Sequence, residues 1–159
     1  MIAPLTTVRS SILGRVMRAI GLGRRNRGGP SERSGHAAST GAWGEREAER
    51  ALRAKGYAIV GRNMVTRAGE ADLVCRAPDG KSMVIVEVKS RVVGEAGSVF
   101  RPERSVNRAK RRRLVGIARL LARANRWRDR EVRVDVVAVE RIGERLEVRH
   151  HEGIARFRV

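Results

Sequence analysis

Asp72, Glu87 and Lys89 are two carboxylates and an ammonium set at the edges of two apolar runs, ADLVC (71–75) and SMVIVEV (82–88). Pro78, Asp79, Gly80 and Lys81 between the runs are turn chemistry, so the stretch reads as a β-hairpin. Strand side chains alternate with period two. Glu87 and Lys89 therefore leave on one face, and Val84, Val86 and Val88 take the other as the core side. Pairing of the hairpin brings Asp72 close to Glu87. Such a cluster on a hydrophobic sheet is costly to bury without a compensating partner, which a divalent metal and a phosphate would supply. Magnesium takes oxygen ligands, uses one or two carboxylates and keeps waters and substrate phosphate. Asp72 and Glu87 meet that minimum, and the Val88 carbonyl is a third oxygen from the same strand. Mg2+ or Mn2+ held there would acidify a water for attack on phosphorus. Lys89 is placed to orient that water or to stabilise the phosphorane charge. The alternative for the same residues is an ion-pair network, with Lys89 paired to Glu87 or Asp72 and no metal.

The elements that must position these groups are legible from pattern. Thr40 reads as the N-cap of a helix through GAWGEREAERALRAK, with Gly56 as its stop. Ala48, Ala51 and Leu52 form its buried stripe. Glu45, three residues before Ala48 and seven before Leu52, leans towards the sheet and could act through an outer-shell water. Glu49 competes with it on nearly the same side. For either glutamate the plain alternative is a solvated charge paired with arginine at helical spacing. A first strand spans 57–65, and the hairpin supplies the next two. Residues 90–104 read as a loop whose Arg91, Arg101 and Arg104 could touch phosphates or serve as ordinary loop arginines. Asn107 caps a helix to about Asn125 with Leu114, Ile117, Ala118 and Leu121 as its stripe. Lys110, Arg111, Arg112 and Arg113 occupy its first turns, where cations oppose the helix dipole. Phosphate binding would account for them, and so would a solvated basic face. Residues 132–140 are a fourth strand carrying Asp135, read as a holder of an arginine or of Lys110 and not as a ligand. Residues 145–150 are a short last strand, with His150 and His151 on opposite faces and at the surface. The order α-β-β-β-α-β-β predicts an α/β domain with a central mixed β-sheet flanked by helices, the crossover helix returning a parallel strand.

The 159 residues allow one domain with a genuine core plus a tail. A net charge of +18 points to a polyanion, but only Lys55, Lys81, Lys89 and Lys110 of the 35 basic residues are lysines. So strong an arginine bias can reflect genome composition, and charge counts only as support. The single Cys75 excludes an internal disulfide and suits a reducing, cytoplasmic compartment, where it reads as a small buried hydrophobe. No stretch is apolar enough for an integral membrane segment. Residues 5–20 carry apolar positions at helical spacing beside Arg9, Arg15 and Arg18, either a surface-binding helix or an extension that only looks periodic. Residues 21–40, rich in Gly, Arg and Ser, read as a disordered linker. The division is thus a basic extension and linker over 1–40, disordered or loosely helical, and a domain over 41–159. Aromatic residues at 3% argue against single-strand recognition by base stacking.

Asp72 followed, after fourteen intervening residues, by Glu87-Val88-Lys89 resembles the core motif of the PD-(D/E)xK nuclease superfamily. Residues 41–159 also resemble the YraN family of uncharacterised bacterial proteins, which is similar to Holliday-junction resolvases. The matching stretches are GAWGE (41–45), KGY (55–57), RN (62–63), GEADL (69–73), VEVKSR (86–91), KRRRL (110–114) and VDVV (134–137). The triad fixes few residues, whereas the ordered series of seven is specific for the family and says less about activity. The resemblance implies a restriction-endonuclease-like fold. It also implies catalytic roles for Asp72, Glu87 and Lys89, with Glu45 as the helix carboxylate of the resolvase-like branch. One departure is Ala71, where the family commonly has isoleucine. Ala71 faces away from Asp72, so the change should thin the core and spare the ligand. In a chain that writes arginine almost everywhere, Lys89 and Lys110 are lysines where the family pattern has one.

The expected function is a divalent-metal-dependent endonuclease on DNA, branched or otherwise structured DNA included. Arg91, Lys110, Arg111, Arg112 and Arg113 are the expected nucleic-acid contacts. Resolvase-like action would need two sites, hence a homodimer. Two readings compete with it: a nucleic-acid-binding module of the same fold without chemistry, and an adaptor acting through its N-terminal segment.

Overall fold

The computed structural model describes residues 34–93 and 107–159, with side chains from residue 41 onward in the first stretch. The expectations for the segment 5–20, for the linker up to residue 33 and for Arg101 and Arg104 lie outside the described residues. The elements are α1 (Ser34–Ala54), β1 (Ala58–Thr66), β2 (Gly69–Arg76), β3 (Met83–Val93), α2 (Arg108–Ala124), β4 (Glu131–Ile142) and β5 (Arg145–Arg158). Their order matches the expected one. They form a five-stranded sheet in the order β1-β2-β3-β4-β5, antiparallel except for the pair β3–β4. A parallel pair needs a long crossover, and α2 is that connection.

The two helices cover opposite faces, giving three layers. Ala48 and Leu52 of α1 pack on Leu73, Cys75, Val84, Val86, Val137 and Val139. Leu114, Ile117, Ala118 and Leu121 of α2 pack on Val74, Met83, Ile85, Val132 and Val134. Burying side chains such as Leu52, Ile85, Leu114 and Ile117 contributes roughly 1.5–3 kcal/mol each. Ala71 is fully buried in the layer that includes Met64. Cys75 is buried as expected, and burial pushes its thiol up to about 12. Asn107 caps α2 by accepting the Lys110 amide at 2.9 Å, and Asn125 ends it. Among the described residues no helix is long and apolar enough to cross a membrane.

Three boundaries differ from expectation. Helix α1 begins at Ser34, so residues 34–40 belong to it and Thr40 is not its cap. Ala37 and Ala38 favour helix and no proline interrupts the segment, so the helix propagates backward. Strand β3 runs on to Val93, which puts Ser90 and Arg91 in strand instead of loop. The reason is that β4 pairs with it along its whole length, to Val93↔Ile142. Strand β5 reaches Arg158, far beyond residue 150, and pairs back to Glu131↔Arg158. Its register shifts opposite Val134/Val136, where Gly153 has φ +69°. A bulge with a left-handed residue lets an edge strand with an irregular pattern continue.

Candidate active site

The ladder between β2 and β3 ends at Leu73↔Val86, although both strands continue. Beyond that pair β3 is held by β4 alone, and the two strands of the hairpin part. Asp72 stands at the parting. Its Oδ2 accepts the Val88 amide at 2.6 Å, so a carboxylate takes the donor that a sheet partner would have taken. The carbonyl of an extended residue leaves the strand on the same side as its amide, so the Val88 carbonyl faces the same gap.

Glu87 and Lys89 continue the row of Met83 and Ile85, which faces α2. The expectation that they share a face opposite Val84 and Val86 holds. Lys89 Nζ lies 2.6 Å from Glu87 Oε1, and Lys110 Nζ of α2 lies 2.6 Å from the same oxygen. The Glu87 side chain is 12% exposed, against 32% for Lys89 and 29% for Lys110, so solvent reaches the cations more than the acid. Burial would raise the Glu87 pKa, but the two ammoniums outweigh it and hold the carboxyl below its usual range. For Lys89, Glu87 outweighs burial and raises the pKa. For Lys110, burial and the neighbouring Lys89 ammonium prevail and lower it. Among the described residues Asp72 forms no such ion pair. Burial first, then the charges of Glu87 and Glu45, push its pKa up to about 6 against the pull of the Val88 amide and Lys89.

Glu45 thus enters the site as a charge that Asp72 feels from α1. Its placement depends on Gly44, whose missing side chain lets α1 lie against Ser90 of β3. Glu49, the competing glutamate, is engaged elsewhere. Arg62 of β1 grips both its oxygens at 2.6 and 2.7 Å, and Arg53 adds a third contact at 3.0 Å. The Arg62 hydrogen bonds hold its pKa below the usual range. It ties α1 to the edge strand.

The expected nucleic-acid contacts divide. Arg111 and Arg112 are exposed on α2. Arg113 donates to the Ala68 carbonyl at 3.1 Å over Gly69, where it fastens α2 to the β1–β2 turn. Arg91 projects from β3 and pairs with Glu140, which also pairs with Arg149 of β5. Lys110 belongs to the acid cluster, a contact the sequence reading did not foresee. The signal was present, because Lys110 lies four residues before Leu114 and so on the inward stripe.

Asp135 is fully buried and holds an arginine, as expected. Arg133 donates to both its oxygens at 2.8 Å, and His150 Nε2 and the Gly153 amide lie at 2.8 and 2.9 Å. Tyr57 contacts both Arg133 and, edge to face, the His150 ring. Burial would raise the Asp135 pKa, but these hydrogen bonds outweigh it and hold it low. The expectation that His150 is a surface residue is therefore wrong: its side chain is 3% exposed. Asp135 and the Tyr57 ring lie against it, and Ala51 and Leu52 of α1 line the same cavity.

Among the described residues no three His, Cys, Asp or Glu side chains converge as an all-protein metal cage. Two carboxylates with a backbone carbonyl are the smaller oxygen set that magnesium uses when waters and phosphate complete its shell. The Asp72 and Glu87 carboxylates and the Val88 carbonyl are oxygen donors of that kind.

A family model described as uncharacterised protein family UPF0102 matches residues 44–139. The chain is 45% identical over 95 residues to a UPF0102 protein of Anaeromyxobacter sp. (strain Fw109-5), covering 60% of this chain and 68% of that one. It is 45% identical over 107 residues to one of Beutenbergia cavernae, covering 64% and 81%. A third, of Mycolicibacterium vanbaalenii, is 38% identical over 120 residues, covering 74% and 94%. The matched region spans Asp72, Glu87, Lys89 and Lys110.

Proposed function

The chain belongs to the uncharacterised family UPF0102, the YraN family of the sequence reading, and from that premise we propose that it is a divalent-metal-dependent endonuclease that hydrolyses phosphodiester bonds in DNA. The observation that carries the reading is the parting of β2 and β3 at Leu73↔Val86, with Asp72, Glu87 and the Val88 backbone around the gap. The element order and the single parallel pair support a restriction-endonuclease-like fold. Asp72, Glu87 and the Val88 carbonyl would hold Mg2+ or Mn2+, which supplies an acidified water and charge neutralisation. Lys89 holds a proton and a positive charge beside Glu87, from where it would orient the attacking water and stabilise charge developing on the phosphoryl group. Glu45 acts from α1 on the charge of Asp72. Arg111 and Arg112 supply phosphate contacts, so affinity falls steeply with salt. Branched or otherwise structured DNA lies within this reading, and action on a junction requires a homodimer. A cytoplasmic location goes with it.

A second reading, a DNA-binding module without chemistry, is favoured by one observation. Lys89 and Lys110 both pair with Glu87 Oε1, so the carboxylate has counter-charges from the protein itself. Incubation with linear, single-stranded and four-way-junction DNA in Mg2+ or Mn2+ separates the two. Cleavage that is lost in Lys89→Ala while binding is retained supports the nuclease. Binding without cleavage by the wild type in either metal rejects it in favour of the silent module.

A further inference from the structure

Lys110 lies on the inward face of α2. It precedes Leu114 by four residues, Ile117 by seven and Leu121 by eleven, extending the buried stripe by one turn towards the helix N-terminus. Arg108, Arg112, Arg119 and Arg123 fall on the opposite face and are exposed. Lys110 is therefore not one more charge of the solvated face. Its ammonium and that of Lys89 meet at a single oxygen, Glu87 Oε1, each at 2.6 Å. The helix N-terminus disfavours a cation, and a second ammonium beside Lys89 disfavours it further. Among the described residues the half-buried Glu87 carboxylate is the partner that accounts for the position. The two lysines also differ in attachment. Lys89 is two residues from Glu87 on the same strand, while Lys110 reaches in from a separate element on a four-carbon stem and can withdraw without moving the sheet.

We propose that Lys110 is the resident counter-cation of the site: it neutralises Glu87 while no divalent cation is bound, and yields Glu87 Oε1 to that cation, whereupon its ammonium turns to the phosphate of the bound nucleic acid. The inference rests on the nuclease reading above, and makes Lys110 a positioning residue for metal entry. A built-in competitor lowers metal affinity, and a released ammonium raises affinity for phosphate. Removal of Lys110 must therefore move the two affinities in opposite directions, which a merely structural lysine would not do.

The test is calorimetric titration of Mg2+ and Mn2+, without nucleic acid, into the full chain as wild type, Lys110→Met and Arg108→Met. Arg108 is exposed on the outward face, and its loss removes the same charge from the same helix turn. Lys110→Met is expected to bind metal about tenfold more tightly, and Arg108→Met to stay within about twofold of wild type. DNA binding at saturating Ca2+ is expected to weaken in Lys110→Met more than it does without metal. Helix content by circular dichroism verifies folding, and Lys110→Gln, which keeps a long polar stem, replaces Lys110→Met if that variant unfolds. Unchanged or weaker metal binding in the neutral variant overturns the inference, as does equal tightening in Arg108→Met. A wild type that binds neither metal overturns the nuclease reading and this inference with it. A metal-binding wild type with an unaltered Lys110 variant overturns the inference alone.

Discussion

Gly44 of α1 lies against Ser90 of β3 so closely that a methyl group built on Gly44 would overlap the Ser90 Cβ and Oγ. The contact sets the height of α1 above the sheet at the turn that carries Glu45. Gly44→Ala is expected to lower stability by about 1–3 kcal/mol through overpacking, against the ~1 kcal/mol that alanine would contribute to an open helix. Ser90→Gly on that background should restore most of the loss. Urea denaturation of the single and double variants is the measurement, and a stabilised Gly44→Ala would mean that the approach is looser than described.

Asp72 makes stability depend on pH in a definite sense. Its folded pKa of about 6 lies above the ordinary carboxyl value of 3.8, with burial the largest cause. Between about pH 4 and 6 the folded chain keeps a proton that the unfolded chain has lost, so stability falls as pH rises through that window. The cost is complete above about pH 6. Asp72→Asn keeps an acceptor for the Val88 amide and removes the charge. It should stabilise the protein by about 1–2 kcal/mol at neutral pH, a figure discounted for partial solvent access. The gain should vanish near pH 4, and denaturation at the two pH values decides the matter. On the proposed nuclease reading the same variant should also lose metal binding, because one proposed ligand has become a neutral amide.

Glu45 and Glu49 sit one turn apart and should respond differently. Glu45→Gln removes a like charge felt by Asp72, so the Asp72 carboxyl should titrate lower, which carboxyl NMR across pH 4–7 would read. Glu49→Gln breaks the clasp from Arg62 and Arg53 and should cost about 1 kcal/mol of stability. It should leave the Asp72 titration in place. A shift of Asp72 in the Glu49 variant alone would exchange the roles assigned here.

Asp135→Ala would leave Arg133 buried without its bidentate partner and His150 Nε2 without its carboxylate contact. A loss of about 3–5 kcal/mol is expected. Because the folded pKa of Asp135 is held low, the wild-type contribution is present above the ordinary carboxyl value and is lost as pH falls through the folded one. Metal binding to the surviving folded fraction should match wild type. A selective loss of metal affinity without loss of stability would move Asp135 into the active site.

The strands and helices, their order and the pairing of Glu87 with Lys89 on one face were legible in the sequence because they follow from local rules. Alternation along 83–89, the turn at 78–81 and the Asn107 cap each need only a few neighbouring residues to decide them. Element ends were not legible in this way. Strand β3 continues past Lys89 and β5 past His150 because β4 offers partners there, and Ser34–Thr40 carries no stop signal that would show where its helix begins. The ring of contacts around Asp135 was hidden for the same reason, since Tyr57, Arg133 and His150 come from three separate stretches. So was the meeting of Lys110 with Glu87: the stripe shows that Lys110 points inward, but only the packing of α2 on β3 selects the oxygen it meets. Periodicity determines which way a side chain points, and three-dimensional packing decides what stands there to receive it.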